Sequence, residues 1–447
     1  MTAPGSAKGR PIVHTVAFAT LGCRLNQVDT EEMQARLEAR GFSTVPFDTR
    51  ADVVVVNSCT VTGRADFSDR QMVRRAVRQH PGARVVVTGC WAQTSPTEAL
   101  ETGAHLVVGN ADKHRIGELI ARLVAEGDSE RRAEVSDIRE VRTMRVAPAA
   151  KTRSRSRAFL KIQEGCQHRC AFCIVPRARG ASRSQRPEIV LDDVRRLVAA
   201  GHPEIVLTGV DLGHYGADLE PRVTLATLLR DIVRVPGLRW ARLSSILPAY
   251  FTRELLDVVT GSPVIAPHFH VPLQSGSDRV LRLMRRPYNA RMYRAIVDRL
   301  ATAIRGVGIG ADVIVGFPGE TEQDFAETVA VVDALPFSYL HVFAYSDRAG
   351  TEATRLPDRV RDSTVARRSQ ILRERSARKA REFRERLVGE TVEVLVLETR
   401  DRETGRLVGL TGSYAEVVFE GPDSLARGLA QVRVTAAGEN RAKGEAA

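Results

Sequence analysis

Three of the six cysteines lie close together in the sequence and could bind a metal. Cys166, Cys170 and Cys173 form a CxxxCxxC pattern, and a loop this short can direct three thiolates at one centre. A structural zinc site needs four ligands, and the loop offers only His168 as a fourth. An iron–sulfur cube held by three thiolates leaves one iron open for a small molecule. The pattern favours such an open cube, with zinc or simple buried thiols as the alternatives.

The other three cysteines are distant in sequence, but each follows a predicted strand. They are Cys23, Cys59 and Cys90, after strands predicted at 15–20, 53–57 and 85–88. Carboxyl ends of parallel strands open onto one edge of a sheet, where ligands bind. Three thiolates would converge there, and Gly22 and Gly89 would let the backbone approach a bulky inorganic core. We expect a second open cube; three buried structural cysteines are the alternative.

Short β-rich runs alternate with helical stretches through the first part of the chain. The run Val53–Val56 has no polar alternation, as expected for a central parallel strand covered on both faces. The alternation predicts an α/β protein whose residues 12–125 form a doubly wound, parallel-sheet domain. Residues 126–157 are charged and poor in large apolar groups, which predicts a linker.

A second strand–helix series predicts a domain over residues 158–387. Its six strands are predicted at 159–163, 204–210, 241–245, 268–273, 311–317 and 339–344. Six such units suggest a partial (β/α)6 TIM-like barrel, with its chemistry at the carboxyl ends of the strands. On the fourth strand, His268 and His270 are expected to face the inside and the outside of the barrel respectively.

The C-terminal part combines a basic helix with a small β module. Residues 361–388 hold ten Lys/Arg and four Asp/Glu, so this helix could contact nucleic-acid phosphates, or it could be a solvated helix stabilised by ion pairs. Residues 388–436 read as a small all-β, OB-like barrel, and residues 437–447 as a disordered tail.

Overall composition limits the class of protein. The 447 residues carry a net charge of +12, which favours polyanionic partners, nucleic acid ahead of an anionic membrane surface. No apolar run approaches the roughly 20 residues of a membrane span. Six cysteines are too few for a disulfide-dense secreted scaffold. We therefore expect a cytoplasmic protein without a membrane partner.

Ordered motifs along most of the chain accompany the two cysteine sets. They are TLGCRLNQ (20–27), NSCTVT (57–62), TGCWAQ (88–93), the CxxxCxxC loop with IVPRARG (174–180), LQSGS (273–277) and VIVGFPGE (313–320). With these motifs the chain resembles the radical S-adenosylmethionine (SAM) methylthiotransferase family from about His14 to Val434. Residues 60–62, 70–76, 90–96, 343–346 and 350–351 look most like its threonylcarbamoyladenosine branch.

The resemblance implies a function and its cofactors. The cofactors are SAM and two [4Fe-4S] clusters, on Cys166, Cys170 and Cys173 for SAM cleavage and on Cys23, Cys59 and Cys90 for sulfur transfer. The reaction is insertion of a methylthio group at C2 of N6-threonylcarbamoyladenosine at position 37 of tRNA. The partners are the tRNA anticodon stem-loop and an electron donor such as flavodoxin or ferredoxin. The final β module corresponds to a TRAM domain.

Two segments are expected to hold SAM. Thr208, Gly209 and Asp211 end the second barrel strand, with Asp211 as acceptor for the methionyl amine. The second segment, at the end of the fifth strand, comprises Val315, Gly316, Phe317, Pro318 and Glu320. Both are also compatible with ordinary βα turns.

Other functions remain open from the sequence. The same chemistry could act on isopentenyladenosine in tRNA or on an aspartate of a ribosomal protein. A different class, a non-catalytic iron–sulfur RNA-binding protein, would retain the clusters without turnover.

Overall fold

The computed structural model describes residues 14–126, 130–145 and 156–447, and divides the chain into one unit over residues 1–140 and another over 141–447. Of the predicted linker, residues 127–129 and 146–155 lie outside the described residues. Within the described part of the chain, each helix is too short or too polar to cross a membrane.

The first unit is a six-stranded sheet with helices on both faces. Its strands are β1 (Thr15–Thr20), β2 (Ser43–Val45), β3 (Val53–Ser58), β4 (Arg84–Gly89), β5 (Leu106–Val108) and β6 (Arg132–Glu134). Its helices are α1 (Arg24–Glu38), α2 (Gly63–Gln79), α3 (Cys90–Thr94), α4 (Pro96–Glu101) and α5 (Ile116–Glu126). The strand order is β2-β1-β3-β4-β5-β6, and neighbouring strands are parallel.

Alternate residues of the central strands supply two separate cores. Val54 and Val56 pack in one with Trp91 of α3, and Val53 and Val55 pack in the other with Leu37 of α1. A strand buried on both faces needs apolar residues at every position, which explains the uninterrupted valines. The doubly wound parallel sheet is confirmed.

Part of the predicted linker is folded instead. β6 pairs with β5 at the edge of the sheet, and Ile138, 5% exposed, is buried in the first unit. A three-residue edge strand of Arg, Ala and Glu gives no hydrophobic pattern, so the sequence did not reveal this strand.

The second unit begins with six βα strands and a small hairpin. The strands are β7 (Arg157–Lys161), β8 (Gln163–Glu164), β9 (Arg183–Ser184), β10 (Glu204–Thr208), β11 (Trp240–Leu243), β12 (His268–His270), β13 (Gly308–Val315) and β14 (Tyr339–Ala344). The helices are α6 (Val175–Arg179), α7 (Pro187–Ala199), α8 (Leu225–Ile232), α9 (Arg253–Gly261), α10 (Asp278–Leu283), α11 (Ala290–Ala303) and α12 (Glu322–Ala334). β8 and β9 form an antiparallel pair.

The six other strands are parallel and make the predicted partial barrel. They form two three-stranded sheets, β11-β10-β7 and β12-β13-β14, joined by a parallel bridge between Ala241 and Ile265. Ile309, Ala311 and Val313 of β13 pack outward in the main core, whereas Asp312, on the opposite face, is partly exposed. The inner face of the barrel therefore carries the polar side chains.

The chain ends in a long helix and a closed β-barrel. These are α13 (Asp362–Glu385), β15 (Thr391–Val396), β16 (Leu407–Thr411), β17 (Glu416–Phe419), β18 (Leu429–Ala437) and β19 (Ala442–Ala446). The barrel order is β15-β16-β17-β19-β18. The predicted disordered tail is wrong, since β19 closes the barrel and Ala442 is fully buried. Small and charged residues gave this strand no hydrophobic signal.

The β16–β17 turn packs against one end of the partial barrel. The fully buried Arg242 of β11 donates to Glu204 of β10 at 2.7 Å and to the carbonyl of Gly412 at 2.8 Å. The ring of Tyr414 stacks on His268 with centroids 4.4 Å apart. These contacts attach the small β-barrel to the amino-terminal end of the strands.

Candidate functional site

In the first unit, Cys23 and Cys59 follow β1 and β3 where the strand order reverses. Strand β2 lies on one side of β1 and β3 on the other, so the carboxyl ends of β1 and β3 flank the crevice where such sheets bind ligands. A Cβ on Gly22 would lie 2.5 Å from Cys59 Cβ and 2.7 Å from its Sγ. Gly22 therefore lets the loop of the exposed Cys23 close over the buried Cys59.

Cys90 begins α3 beside the same edge. A Cβ on Gly89, whose φ is +100°, would lie 2.7 Å from Ser58 N, so only glycine allows this approach to β3. Burial, with contributions from the charges of Cys90 and Cys23, raises the pKa of Cys59 to about 12. The three thiols thus act on one another electrostatically. Because a metal ligand must be a thiolate, an ion bound here must displace protons.

Polar residues around these thiols were not singled out from the sequence. Asp69 of α2, fully buried, accepts a hydrogen bond from the Cys59 backbone nitrogen at 3.0 Å. Asn26 donates to the carbonyls of Leu21 and Ser58 at 2.7 and 2.8 Å. Asn26 thereby joins the two cysteine loops, and its place within TLGCRLNQ was the available signal.

In the second unit, the loop after β8 carries Cys166, Cys170 and Cys173. Gly165 has φ +72°, and a Cβ there would lie 2.8 Å from the Gly180 carbonyl oxygen. That same carbonyl accepts from Cys166 N at 3.0 Å, and Cys173 N donates to Cys170 O at 3.0 Å. The loop is therefore closed and folded back on itself, with all three thiols half-buried.

A partly buried cation faces this loop. Arg286 Nη1 donates to Cys170 Sγ at 3.1 Å, a contact not predicted from the sequence. Burial raises the pKa of Cys173 to about 11, and the charge of Arg286 opposes that rise. Arg286 therefore favours thiolate over thiol in the loop, as an anionic cluster requires.

Two sets of potential ligand atoms lie within 4.8 Å of one another in the described residues. They are Cys166–His168–Asp211 and His270–Asp312–His341. Neither cysteine triad is among them.

Asp211 lies beside Cys166, as a SAM-binding role would require. The Cys166 thiol lies 3.7 Å from Asp211 Oδ2, and Tyr250 OH donates to the same oxygen at 3.1 Å. His168 Nε2 is 3.3 Å from it. Tyr250 and His168 were given no role from the sequence, yet they hold the Asp211 carboxylate toward the cysteine loop.

Thr208 and Gly209 are packed against other residues of the second unit. Thr208 is buried in β10, paired with Lys161 of β7. A Cβ on Gly209 would lie 2.8 Å from Gln163 Oε1, and that oxygen accepts from Asp211 N at 2.8 Å. Gln163 therefore fixes the turn that presents Asp211.

Residues of the segment Val315–Glu320 contact two different parts of the second unit, the cysteine loop and α13. Phe317 is fully buried against Ala171 of the loop, with Phe172 nearby. Glu320 accepts from Gly316 N at 2.7 Å and from the buried Arg368 at 2.6 Å.

Val315 packs in the main core, and the backbone nitrogen of Gly319, which follows Pro318, donates to Asp358 O at 2.9 Å. The carboxylate of Glu320 thus anchors α13, and its contact with the cofactor stays a prediction.

His268 and His270 face the same side of β12. Both lie within hydrogen-bond distance of Tyr339 OH, at 3.0 and 3.1 Å. The expectation that they face opposite sides is wrong, because residues i and i+2 of a strand share a face. His270 Nε2 and His341 Nδ1 also lie 3.0 and 3.2 Å from Asp312 Oδ1.

Much of the positive charge of α13 is used within the fold. Arg367 and Arg368 pair with Glu322, and Arg375 and Arg378 pair with Asp333. Lys379 and the buried Arg384 donate to backbone carbonyls. The ion-pair interpretation of this helix therefore applies to several of its residues, whereas phosphate contact stays a prediction for the exposed Arg373 and Arg381.

Comparisons with known proteins match both units. Residues 15–109 match the uncharacterized protein family UPF0004, and residues 160–332 match the radical SAM superfamily. The chain is 40% identical to the threonylcarbamoyladenosine tRNA methylthiotransferase MtaB of Bacillus subtilis, over 95% of this chain and 94% of the relative. The corresponding protein of Aquifex aeolicus is 39% identical, over 91% and 97%.

More distant similarities involve another substrate and another reaction. A tRNA-2-methylthio-N(6)-dimethylallyladenosine synthase of Leifsonia xyli is 36% identical, over 91% of this chain and 77% of the relative. Among solved structures, the radical SAM methyltransferase TsrM from Kitasatospora setae superposes with a TM-score of 0.57 at 16% identity, covering 74% of this chain and 75% of that one. The last similarity concerns the fold alone.

Proposed function

The chain belongs to the radical SAM methylthiotransferases of the threonylcarbamoyladenosine branch, and we propose that it inserts a methylthio group at C2 of N6-threonylcarbamoyladenosine in tRNA. The observation that carries the proposal is the presence of two cysteine triads, one at the carboxyl ends of parallel strands in the first unit and one in the loop that follows β7 and β8 in the second unit. A carbon–hydrogen bond of adenine is too unreactive for acid–base chemistry, so a radical initiator and a separate sulfur site are both needed.

The cofactors are SAM and [4Fe-4S] clusters, which supply reductive SAM cleavage and sulfur transfer when bound. We assign one cluster to Cys166, Cys170 and Cys173 and the other to Cys23, Cys59 and Cys90.

The protein's own residues hold and tune these groups. Arg286 stabilises negative charge at Cys170, and Asp211, held by Tyr250, offers an acceptor for the amine of SAM. Phe317 packs against the cysteine loop and limits the access of water to it.

The macromolecular substrate is a tRNA. We propose that the anticodon stem-loop is the part recognised, with position 37 in a single-stranded loop where a base edge is accessible. The exposed Arg373 and Arg381 of α13 are available for phosphates. An electron donor such as flavodoxin or ferredoxin would supply the electrons for SAM cleavage.

The test is nucleoside mass spectrometry after reaction of the anaerobically reconstituted full chain with SAM and a reductant. Three anticodon stem-loops are compared, with threonylcarbamoyladenosine, isopentenyladenosine or unmodified adenosine at position 37. We expect the methylthio product from the first. Methylthiolation of the isopentenyladenosine stem-loop alone would assign this chain to the branch of the Leifsonia xyli relative. SAM cleavage without any methylthiolated nucleoside would refute the proposal.

A further inference from the structure

Strand β14 carries a row of aromatic side chains along the inner wall of the partial barrel. The rings belong to Tyr339, His341 and Phe343, and the residues between them pack in or against the main core. Because residues i and i+2 of a strand share a face, the three rings lie on the opposite, inner side. His341 and Phe343 are exposed there, and 43% of Phe343 is accessible to solvent.

Phe343 lies at the end of β14 that is closer to the CxxxCxxC loop. It pairs in register with Ile314 of β13, and Ile314 packs in the cluster that contains Ala171 and Phe172 of that loop. Neighbouring strands are about 4.8 Å apart, so Phe343 is one strand away from a residue that packs with the loop. The exposed ring is therefore near the carboxyl-terminal end of the barrel strands, where the proposed cluster would cleave SAM.

His341, two residues before Phe343 on the same face, has an oriented imidazole ring. Asp312 Oδ1 lies 3.2 Å from His341 Nδ1, which fixes the ring beside β13. The His341 and Phe343 rings meet edge to face, with centroids 6.4 Å apart. An exposed aromatic ring next to an oriented polar group suits a ligand with a flat apolar face and a polar edge, which is the chemistry of a nucleobase.

Helix α13 covers the other side of β14. Ser376 Oγ of this helix accepts a hydrogen bond from Leu340 N at 2.9 Å and donates one to Leu340 O at 3.2 Å. Leu372, one turn earlier in α13, is fully buried in the main core. Within the described residues of the second unit, the inner wall is therefore the side of β14 that a ligand could reach.

We infer that the target adenine base stacks on Phe343 at the inner wall of β14, beside His341. The inference rests on the proposed function, because the base must reach the reacting end of the barrel. A base turned out of the anticodon loop exposes its π-face, and RNA-binding proteins hold such bases on aromatic side chains. Exposure alone does not distinguish Phe343, since Ile189 of α7 is also 43% exposed. The place of Phe343 on the inner wall does.

The test measures binding rather than turnover. The reconstituted full chain, kept oxidised and without SAM, is titrated into two fluorescent anticodon stem-loops, one with threonylcarbamoyladenosine at position 37 and one with an abasic site there. The ratio of the two dissociation constants reports the contribution of the base. We expect the wild type to prefer the intact base by about tenfold, the size of one base–aromatic stack. Phe343→Ala should bring the ratio close to one.

Further variants separate stacking from apolar contact and from misfolding. Phe343→Tyr keeps an aromatic ring and should retain the preference for the intact base. Phe343→Leu keeps an apolar side chain without a ring and should lose most of it. Ile189→Ala is the matched control, because it shortens an apolar side chain of equal exposure on α7, and it should retain the preference. The circular dichroism melting curve is recorded for every variant.

The outcomes distinguish this inference from the proposed function. Equal weakening of both stem-loops by Phe343→Ala would place this ring against the sugar–phosphate backbone and overturn the inference, as would a wild type without any preference. Methylthiolation by a protein whose preference is unchanged in Phe343→Ala and Phe343→Leu would overturn the inference and leave the proposed function standing. A preference that depends on the ring of Phe343, in a protein that never methylthiolates the base, would support the stacking site and refute the proposed reaction.

Discussion

Single side chains beside the two cysteine triads are expected to affect the binding and the properties of the proposed clusters. Gly22 and Arg286 do different work: Gly22 leaves space beside Cys59, whereas Arg286 supplies charge beside Cys170. The sequence predicted that Gly22 allows close approach but not which atoms it approaches. Arg286 was missed, because it lies more than a hundred residues from the loop and no local motif connects the two.

Gly22→Ala is predicted to impair the first triad. The new methyl group would lie 2.5 Å from Cys59 Cβ, and the φ of +89° is unfavourable for alanine. Iron per chain after reconstitution should fall by about half, since only one cluster site is affected. Gly41→Ala is the matched control, because Gly41 has φ +84° and nothing within 4 Å of its Cβ position. Equal iron loss in both variants would show that backbone strain, and not contact with Cys59, is responsible.

Arg286→Gln is predicted to make the midpoint potential of the neighbouring cluster more negative. Reduction of the cluster adds negative charge, and the Arg286 cation, whose Nη1 lies 3.1 Å from Cys170 Sγ, would stabilise that charge. The measurement is a redox titration monitored by electron paramagnetic resonance. Arg285→Gln, at a neighbouring residue whose half-exposed side chain pairs with Glu352, should leave the potential unchanged. A shift to a more positive potential in Arg286→Gln would contradict this role.

Among the secondary-structure elements, the partial barrel was easier to predict from the sequence than the small β-barrel. Alternating strands and helices predicted the parallel strands of the partial barrel, as uninterrupted valines predicted the central strand of the first unit. Their contacts with the C-terminal strands could not be predicted, because Arg242 and Gly412 lie far apart in sequence. β6 at the edge of its sheet and β19 within the closed barrel were also missed, since strands of small or charged residues pair mainly through their backbones and carry no hydrophobic pattern.

Arg242→Met is predicted to destabilise the second unit. It would leave Glu204 buried and without its principal partner, a change that costs about 3–5 kcal/mol. The free energy of unfolding from urea titration measures the loss, and Glu204→Gln in the same chain should recover part of it. The control is Arg305→Met, since Arg305 pairs with Glu390 at the surface and is 90% exposed, so it should change stability by less than about 1 kcal/mol. Similar losses in the two single variants would contradict the importance of burial.

Across the whole molecule, the net charge of +12 overstates the surface available to RNA. Six of the ten basic residues between 361 and 388 are committed to ion pairs or carbonyls within the fold. The sequence predicted a basic helix, but the partners on α12 and elsewhere became visible only in the folded chain. Salt dependence of tRNA binding can separate committed from available charges.

Replacing both Arg373 and Arg381 with Gln is predicted to reduce the salt dependence of tRNA binding. Loss of two phosphate contacts should lower the slope of log K against log salt concentration by about one to two. The comparison is the double replacement of Arg367 and Arg378, which pair with Glu322 and Asp333. The double variant at Arg367 and Arg378 should change the slope of log K against log salt concentration less. Equal changes in both double variants would mean that the ion pairs open on RNA binding.

Two separate open clusters are the central claim, and the iron and acid-labile sulfide content per chain tests it most directly. After anaerobic reconstitution, the wild type should hold about eight irons, as expected for two [4Fe-4S] clusters. Triple alanine replacement of Cys166, Cys170 and Cys173, or of Cys23, Cys59 and Cys90, should each leave about four. About four irons in the wild type, falling to none without the CxxxCxxC triad and unchanged without the first triad, would contradict the account and remove the sulfur-transfer site.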